Sequence, residues 1–485
     1  MSRKPDTQAH AVGGADRAGQ GGAGRLIAVL LAGAFVMVLS ETVMGVALPP
    51  IMDEFGVTAA RGQWLTTAYM LVMAALIPMT GFILQRFSPR MVFIAALTLF
   101  CVGTAAAALA PGFSVLLGAR VVQAVGTAVI MPLLTTTILN SVAAERRGRV
   151  MSLVAIVTAV APALGPTFSG ALIAASGWRS VFWVILPVTV LVLVVGAWLV
   201  KPETTVGATR FDPLSAILSV FAFGGVVYGL GSMGESVNGA QAIPPVIPLA
   251  IGAVAMAAFI HRQLVLRRED RAFLDLHAFT FRPFWVGASL LTVTMCAMFG
   301  VFILLPLYMQ NVMHHTALTT GLIMLPGGLL MGIGAPLIGA LYDRFGVRPL
   351  VIPGVFMISA GMALFALMEP DTSLVYLLIG STVLDIGIAF VMTPVMSAAL
   401  GSLPAALYSH GSAIIGTLQQ LAGAAGTAIF VAIMSIVSQA ARVQGVADGA
   451  AQAQGLHAAF ITAAVVSLLA VVLAFLMPRR KAPLS

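Results

Sequence analysis

The chain has 485 residues, of which 60% are hydrophobic and only 9% charged, against roughly 25% charged in an ordinary soluble domain. That is too little charge to cover a water-soluble surface of this size, and a mean hydropathy of +1.03 agrees, so lipid is the solvent for most of the chain. The net charge of +8 invites a nucleic-acid reading, which fails because the basic residues lie in short segments between apolar runs, where they act as topology signals.

In lipid every backbone polar group must be satisfied within the chain, so spanning units are helices or a closed barrel. Barrel strands would be about ten residues long and alternate polar with apolar. Here the apolar runs reach about twenty residues or more without alternation, so helices are expected. Residues 1–24, Gly/Ala-rich with Arg3, Lys4 and Arg17, read as a disordered cytoplasmic tail without a cleavable signal peptide. Spanning runs then fall at roughly 25–48, 62–84, 91–110, 113–139, 151–175, 178–200, 212–232, 244–266, 283–309, 317–341, 348–367, 373–398, 409–437 and 456–477, fourteen in all. The segment 267–282 mixes both charge signs and reads as a connector with a short interfacial helix. Cys101 and Cys296 fall inside apolar runs and read as packing residues rather than a disulfide.

Charge tests the count. With the N-terminus inside and the runs alternating, all Lys and Arg except Arg61, Arg179, Arg442 and the mid-span Arg120 fall on the cytoplasmic side, which leaves 21 of 25 there. That asymmetry satisfies the positive-inside rule. It puts both termini in the cytoplasm of a multi-pass protein of the cell (inner) membrane.

The chain also repeats itself. GFILQRFSPR at 81–90 resembles GALYDRFGVR at 339–348, and VGTAVIMP at 125–132 resembles IGIAFVMTP at 386–394. The two offsets agree, which predicts two six-helix halves, 25–200 and 283–477, flanking an inserted pair at 201–282, with a short tail at 478–485. The expected fold is therefore an all-α polytopic membrane protein with 6+2+6 helices.

These motifs resemble the major facilitator superfamily, and more narrowly its fourteen-helix drug:proton antiporters of the EmrB/QacA type. The likeness covers residues 25 to 477. It is carried by Ser40-Glu41-Thr42-Val43-Met44-Gly45-Val46-Ala47-Leu48-Pro49, with Glu41 where the family usually has Asp; by Gly81 and Arg86, with Gln85 and Ser88 replacing the motif's Asp and second Gly; and by the fuller copy Gly339, Asp343, Arg344, Gly346 and Arg348. Arg120-Val121-Val122-Gln123, Ala161-Pro162-Ala163-Leu164-Gly165-Pro166 with Gly170, Trp178 to Trp183, and Leu305 to Gln310 complete it. The resemblance implies the major facilitator fold and proton-coupled antiport that exports small amphipathic, cationic or lipophilic compounds by alternating access. It implies a monomer whose partners are that substrate, protons and membrane lipids, with or without a periplasmic adaptor protein. Narrow exporters or importers of a single metabolite share the fold and stay open as an alternative.

Three charges lie well inside spans: Glu41, Arg120 and Asp385. A charge at the bilayer centre costs about 2.5–3.5 kcal/mol on insertion scales, so it is expected to face a wet cavity or a partner; a buried ion pair that fixes helix packing is the plainer alternative. The repeat aligns Asp385 with Ala124, one turn beyond Arg120, and so places it in the same central space. Burial disfavours a charged carboxylate, so Glu41 or Asp385 is expected to carry the proton, with Arg120 assisting its release and a cationic substrate competing for the same group. The cavity wall is expected to include Gln123, the helical stripe Met295, Phe299 and Phe302, and one of the mid-span amides, Gln419 above all. Gating is assigned to Arg86, Asp343 and Arg344 at the cytoplasmic face. It is also assigned to Pro162, Gly165, Pro166 and Gly170, which leave their helix short of two donors and closely packed. No phosphate loop, metal-ligand cluster or nucleophile–base arrangement is found, so no enzyme activity and no cofactor are expected; channels are disfavoured because no filter motif is visible.

Overall fold

The computed structural model describes residues 9–142, 144–199, 212–236, 244–267, 274–404 and 407–478. The first expected run folds as α1 (Ala9–Thr42) and α2 (Met44–Phe55). Val43 between them keeps helical angles, and the hydrogen-bond ladder runs on through it. The second run is segmented into α3 (Ala59–Gly62), α4 (Trp64–Leu76), a 3-10 turn (Ile77–Met79) and α5 (Thr80–Arg86). Then follow α6 (Pro89–Ala108), α7 (Phe113–Ser141), α8 (Ala144–Ser176), α9 (Arg179–Leu199), α10 (Pro213–Ser236), α11 (Val246–Arg267), α12 (Arg282–Leu307), α13 (Ala317–Phe345), α14 (Arg348–Ala366), α15 (Leu374–Gly401), α16 (Tyr408–Val443) and α17 (Asp448–Leu476). Among the described residues there is no strand.

Thirteen helices among the described residues are long and apolar enough to cross a membrane. The remaining expected run, 151–175, lies in α8, where several side chains fall outside the described residues and the apolar stretch that remains is Val160–Ser176. The tail expected at 1–24 lies outside the described residues up to residue 8, and α1 begins at Ala9. In the connector 267–282, residues 268–273 lie outside the described residues and Leu276–Thr280 forms a short 3-10 helix.

Helix ends follow local chemistry. Ser88, Thr316 and Ser373 accept N–H bonds at the starts of α6, α13 and α15, satisfying donors that the helix itself leaves free. Gly56 closes α2 at φ +60° and Gly346 follows α13 at φ +82°, backbone conformations that favour glycine. Pro50 in α2 has no N–H to give to the carbonyl of Val46. That carbonyl instead accepts a bond from Gln310 Nε2 at 3.3 Å, which ties α2 to the π-helical turn Tyr308–Val312 that prolongs α12.

Corresponding helix pairs pack alike. α6 packs on α7 and α9 as α14 packs on α15 and α17, and α4 meets α7 as α13 meets α15. Under that correspondence the two long seams between the halves, α8 with α13 and α4 with α16, are each other's counterparts. At the α8–α13 seam backbone meets backbone. Gly321 faces the Pro166 carbonyl, Gly170 faces that of Ala317, and Thr167 Oγ1 donates to the Gly321 carbonyl at 2.8 Å. The inserted α10 packs on α4 and α16 together and so lies along the other seam, with Trp64 against Tyr228 and Gly231. Its first turn is held by Asp212, which accepts bonds from Arg262 of α11 at 3.1 and 3.0 Å.

Candidate functional site

Arg120 enters from α7 and is fully buried. Its Nε donates to the Leu65 carbonyl at 3.3 Å, and its Nη1 donates to the Ser40 carbonyl at 3.4 Å and to Gln123 Oε1 at 2.9 Å. The guanidinium lies 4.1 Å from the centre of the Tyr69 ring, a stacking that a planar cation makes well and an ammonium does not. Gln123, one turn on from Arg120, donates from its Nε2 to Thr104 Oγ1 at 2.8 Å. Tyr69 donates its hydroxyl to Thr127 Oγ1 at 2.7 Å. The cation is thus fixed by α1, α4 and α7 together, while Nη2 keeps no partner among the described residues.

Glu41, next to Ser40 on α1, is 8% exposed. It lies within electrostatic reach of Arg120, forms no direct ion pair with it, and is approached by the Gln420 side chain of α16. Its Oε1 has no partner among the described residues. The carboxyl is thus carried by the first half and lies beside a side chain of the second. A buried carboxyl with an unpaired oxygen keeps an open acceptor position.

Asp385 stands apart from this cluster. It packs against Gly327 of α13 and lines a cavity of about 10 Å³, room for a single water, with Ser381, Met298, Phe302 and Met324 among its neighbours. Among the described residues Asp385 makes no hydrogen bond or ion pair. The backbone of Phe302 abuts Gly45 of α2, and Phe302 also lines the Asp385 cavity. Phe299 and Phe302 are neighbours, with ring centres 6.0 Å apart, and Phe299 faces Gly423 of α16. Met295, one turn earlier, is buried. Gln123 is occupied by Arg120 and Thr104 and so orients the cation. Of the two amides on α16, Gln420 reaches Glu41, and Gln419 is half-buried with its Nε2 unpaired.

The expected gating residues separate into two ends of the bundle. Gly165 packs against Thr42 of α1, next to Glu41, while Pro166 and Gly170 meet α13. Pro162, one turn before Pro166, lies within α8. Arg86 ends α5 and is exposed, as are Asp343 and Arg344 in the last turn of α13, where Arg344 lies over Phe345. The side chains of Gly81 and Gln85 fall outside the described residues. Sequence reasoning missed Tyr69, Thr104 and Thr127. Tyr69 carried a signal, since it is one of only six tyrosines and a hydroxyl in an apolar helix needs a partner.

At the far end of α2, Glu54 accepts from Trp178 Nε1 at 2.7 Å and from Arg179, whose Nη2 also donates to the Ala110 carbonyl at 2.9 Å. Burial pushes the Glu54 carboxyl up, but the bonds from Arg179 and Trp178 outweigh it and hold the group below its usual range. This network ties α2 to α9.

Two equivalent sets of apolar helices, with buried charges where they meet, form the architecture of a polytopic membrane transporter. The chain matches the Major Facilitator Superfamily over residues 30–427 and belongs to that family. It is 40% identical to the uncharacterized MFS-type transporter YcnB of Bacillus subtilis over 94% of this chain and 96% of that one. It is 38% identical to the lincomycin resistance protein LmrB of the same organism, with the same coverage. A multidrug resistance protein B homolog of Mycobacterium tuberculosis is 31% identical over 81% of this chain and 73% of its own length. The fold is shared with a bacterial homolog of the human lysosomal transporter Spinster, solved in an inward-facing conformation, at a TM-score of 0.68 and 15% identity over 95% of this chain and 99% of that one.

Proposed function

We propose that the protein is a proton-coupled antiporter of the fourteen-helix drug:proton type that expels small amphipathic, cationic or lipophilic compounds by alternating access. The observation that carries this reading is Glu41. Its carboxyl sits on the first half, beside a fixed Arg120, and faces the Gln420 side chain of the second half. When ionised, the carboxyl accepts a charge-assisted bond from Gln420 and is attracted to Arg120, which favours the arrangement in which the halves meet at this level. A proton on the carboxyl removes that attraction and frees the halves to re-pack. A cationic substrate and a proton cannot both use the one open oxygen, so binding of either displaces the other. Asp385 offers a second carboxyl in its own single-water cavity.

In this reading the glycine-lined α8–α13 seam closes one end of the pathway, and the loops bearing Arg86, Asp343 and Arg344 mark the other. The asymmetry of 21 basic residues to three puts the second end, with both termini, in the cytoplasm. Relatives named for lincomycin and multidrug resistance support export as the direction. The test is transport into inverted proteoliposomes under an imposed proton gradient, with tetraphenylphosphonium as probe. Uptake should follow the gradient and stop with a protonophore. Uptake that ignores the gradient would refute coupling and leave a facilitator.

A further inference from the structure

The two seams between the halves are counterparts in the fold but differ in chemistry. The α8–α13 seam is closed by glycines and backbone. The α4–α16 seam holds buried polar groups without a hydrogen-bond partner among the described residues. Gln63 is 0% exposed, and neither its Oε1 nor its Nε2 has a partner among the described residues. Thr67, one turn further, is also 0% exposed with an unpaired Oγ1. On the facing helix Thr427 Oγ1, Gln419 Nε2 and Gln420 Oε1 have no partner among the described residues.

Register shows that these groups face one another. A methyl group built on Gly416 would lie 3.7 Å from Ile77, and one on Gly423 would lie 2.9 Å from the Met70 sulfur. The two helices therefore run antiparallel, with 416 beside 77 and 423 beside 70. Gln63, Thr67 and Met70 share one face of α4 by their spacing, and Gln419, Gly423 and Thr427 share one face of α16. Continuing the register sets Thr427 opposite Thr66, one residue from Thr67. Along the seam the lining is polar at Gln63, Thr67 and Thr427, apolar at Met70 and Phe299, and polar again at Gln419, Gln420 and Glu41.

Buried side-chain polar groups are paired in the large majority of cases, and a primary amide can make four hydrogen bonds. Orphans concentrated on two facing helices describe a surface whose partner is not part of the chain. Its sequence of hydroxyl and amide groups, an apolar waist and then a carboxylate also specifies that partner. We propose that the α4–α16 seam is a hydrogen-bonding subsite for the neutral polar part of an amphipathic amine, with hydroxyl or amide groups of the substrate meeting Gln63 and Thr67 while its cationic end lies at Glu41. This rests on the export reading above and names the substrate class within it. A bare lipophilic cation satisfies only the apolar waist and the carboxylate. A hydroxylated amine satisfies all three zones.

The experiment compares lincomycin, a hydroxylated amide-bearing amine, with tetraphenylphosphonium, which has no hydrogen-bonding group, in the same inverted proteoliposomes. The variants are Gln63→Leu, Thr67→Val and Thr67→Ser. The first two should raise the KM for lincomycin about ten- to a hundredfold, because a site built for hydrogen bonds discriminates strongly by them, and leave that for tetraphenylphosphonium within about twofold. Thr67→Ser should behave as the parent. If Gln63→Leu loses all transport, the isosteric Thr67→Val decides. The proposal is overturned if both substrates change together, or if neither does, as water filling the seam would give. A parent protein that carries tetraphenylphosphonium but not lincomycin overturns it while the export reading stands. Failure to carry either under a gradient removes both.

Discussion

Adding one methyl group at Gly321 tests whether the α8–α13 seam is a gate. A Cβ there would press on the Pro166 carbonyl oxygen and lie 2.8 Å from Thr167 Cα and 2.9 Å from the Pro166 carbonyl carbon. All three are backbone atoms of α8, so no side chain can swing aside and the helices must part. Overpacking of this kind costs about 1–3 kcal/mol, and separation also loses the bond from Thr167 to the Gly321 carbonyl, worth about 1 kcal/mol. The sum, about 2–4 kcal/mol, disfavours the closed seam roughly 30- to 700-fold at 1.4 kcal/mol per decade. Spin labels at Ser176 and His314, with Cys101 and Cys296 replaced, flank that end. Gly321→Ala should shift their distance distribution to longer values and slow transport. Gly339→Ala, on the same helix with nothing within 4 Å, should change neither. Unaltered distances and turnover in Gly321→Ala would refute the seam as a gate.

Arg120→Leu removes the bonds to Leu65, Ser40 and Gln123 and leaves Glu41 buried without its cation. Breaking a buried charge arrangement in this way costs about 3–5 kcal/mol, read as a lower unfolding temperature in detergent; adding Glu41→Gln should recover much of it. Glu54→Gln concerns stability against pH. Because Glu54 is held below its usual range, its contribution is present above its unfolded value and lost as pH falls through the folded one. The variant should therefore be less stable at neutral pH by about 0.2–1 kcal/mol, the range of partly exposed pairs. The gap to the parent should close in thermal scans at acid pH, and a gap that persists there would contradict the assignment.

The all-helical membrane architecture and the order of its apolar spans were legible in the sequence because hydrophobicity along a spanning run and the cost of unpaired backbone in lipid are local properties. The close packing of Gly165 and Gly170 was legible for a similar reason, since small residues beside prolines have few other uses. What escaped was set between helices. Glu41, Arg120 and Asp385 could be picked out singly, but their grouping depended on tilt and register. Asp385 turned out to nest against Gly327, which opens a slot no pattern on its own helix reports. The sequence singled out Gln419 of the two adjacent amides, and a rotation of 100° about α16 instead brings Gln420 beside Glu41. The sequence did not show where the inserted pair packs; α10 lies on α4 and α16 together.

The central claim is that the Glu41 carboxyl links proton movement to the arrangement of the halves. It is tested most directly by Glu41→Gln in inverted proteoliposomes, comparing uptake driven by a proton gradient with exchange of labelled for unlabelled tetraphenylphosphonium at equal pH. Glutamine keeps the shape and the capacity to bond Gln420 but cannot take up or release a proton. The account predicts that gradient-driven accumulation is lost while exchange persists. Accumulation at the level of the parent would contradict it.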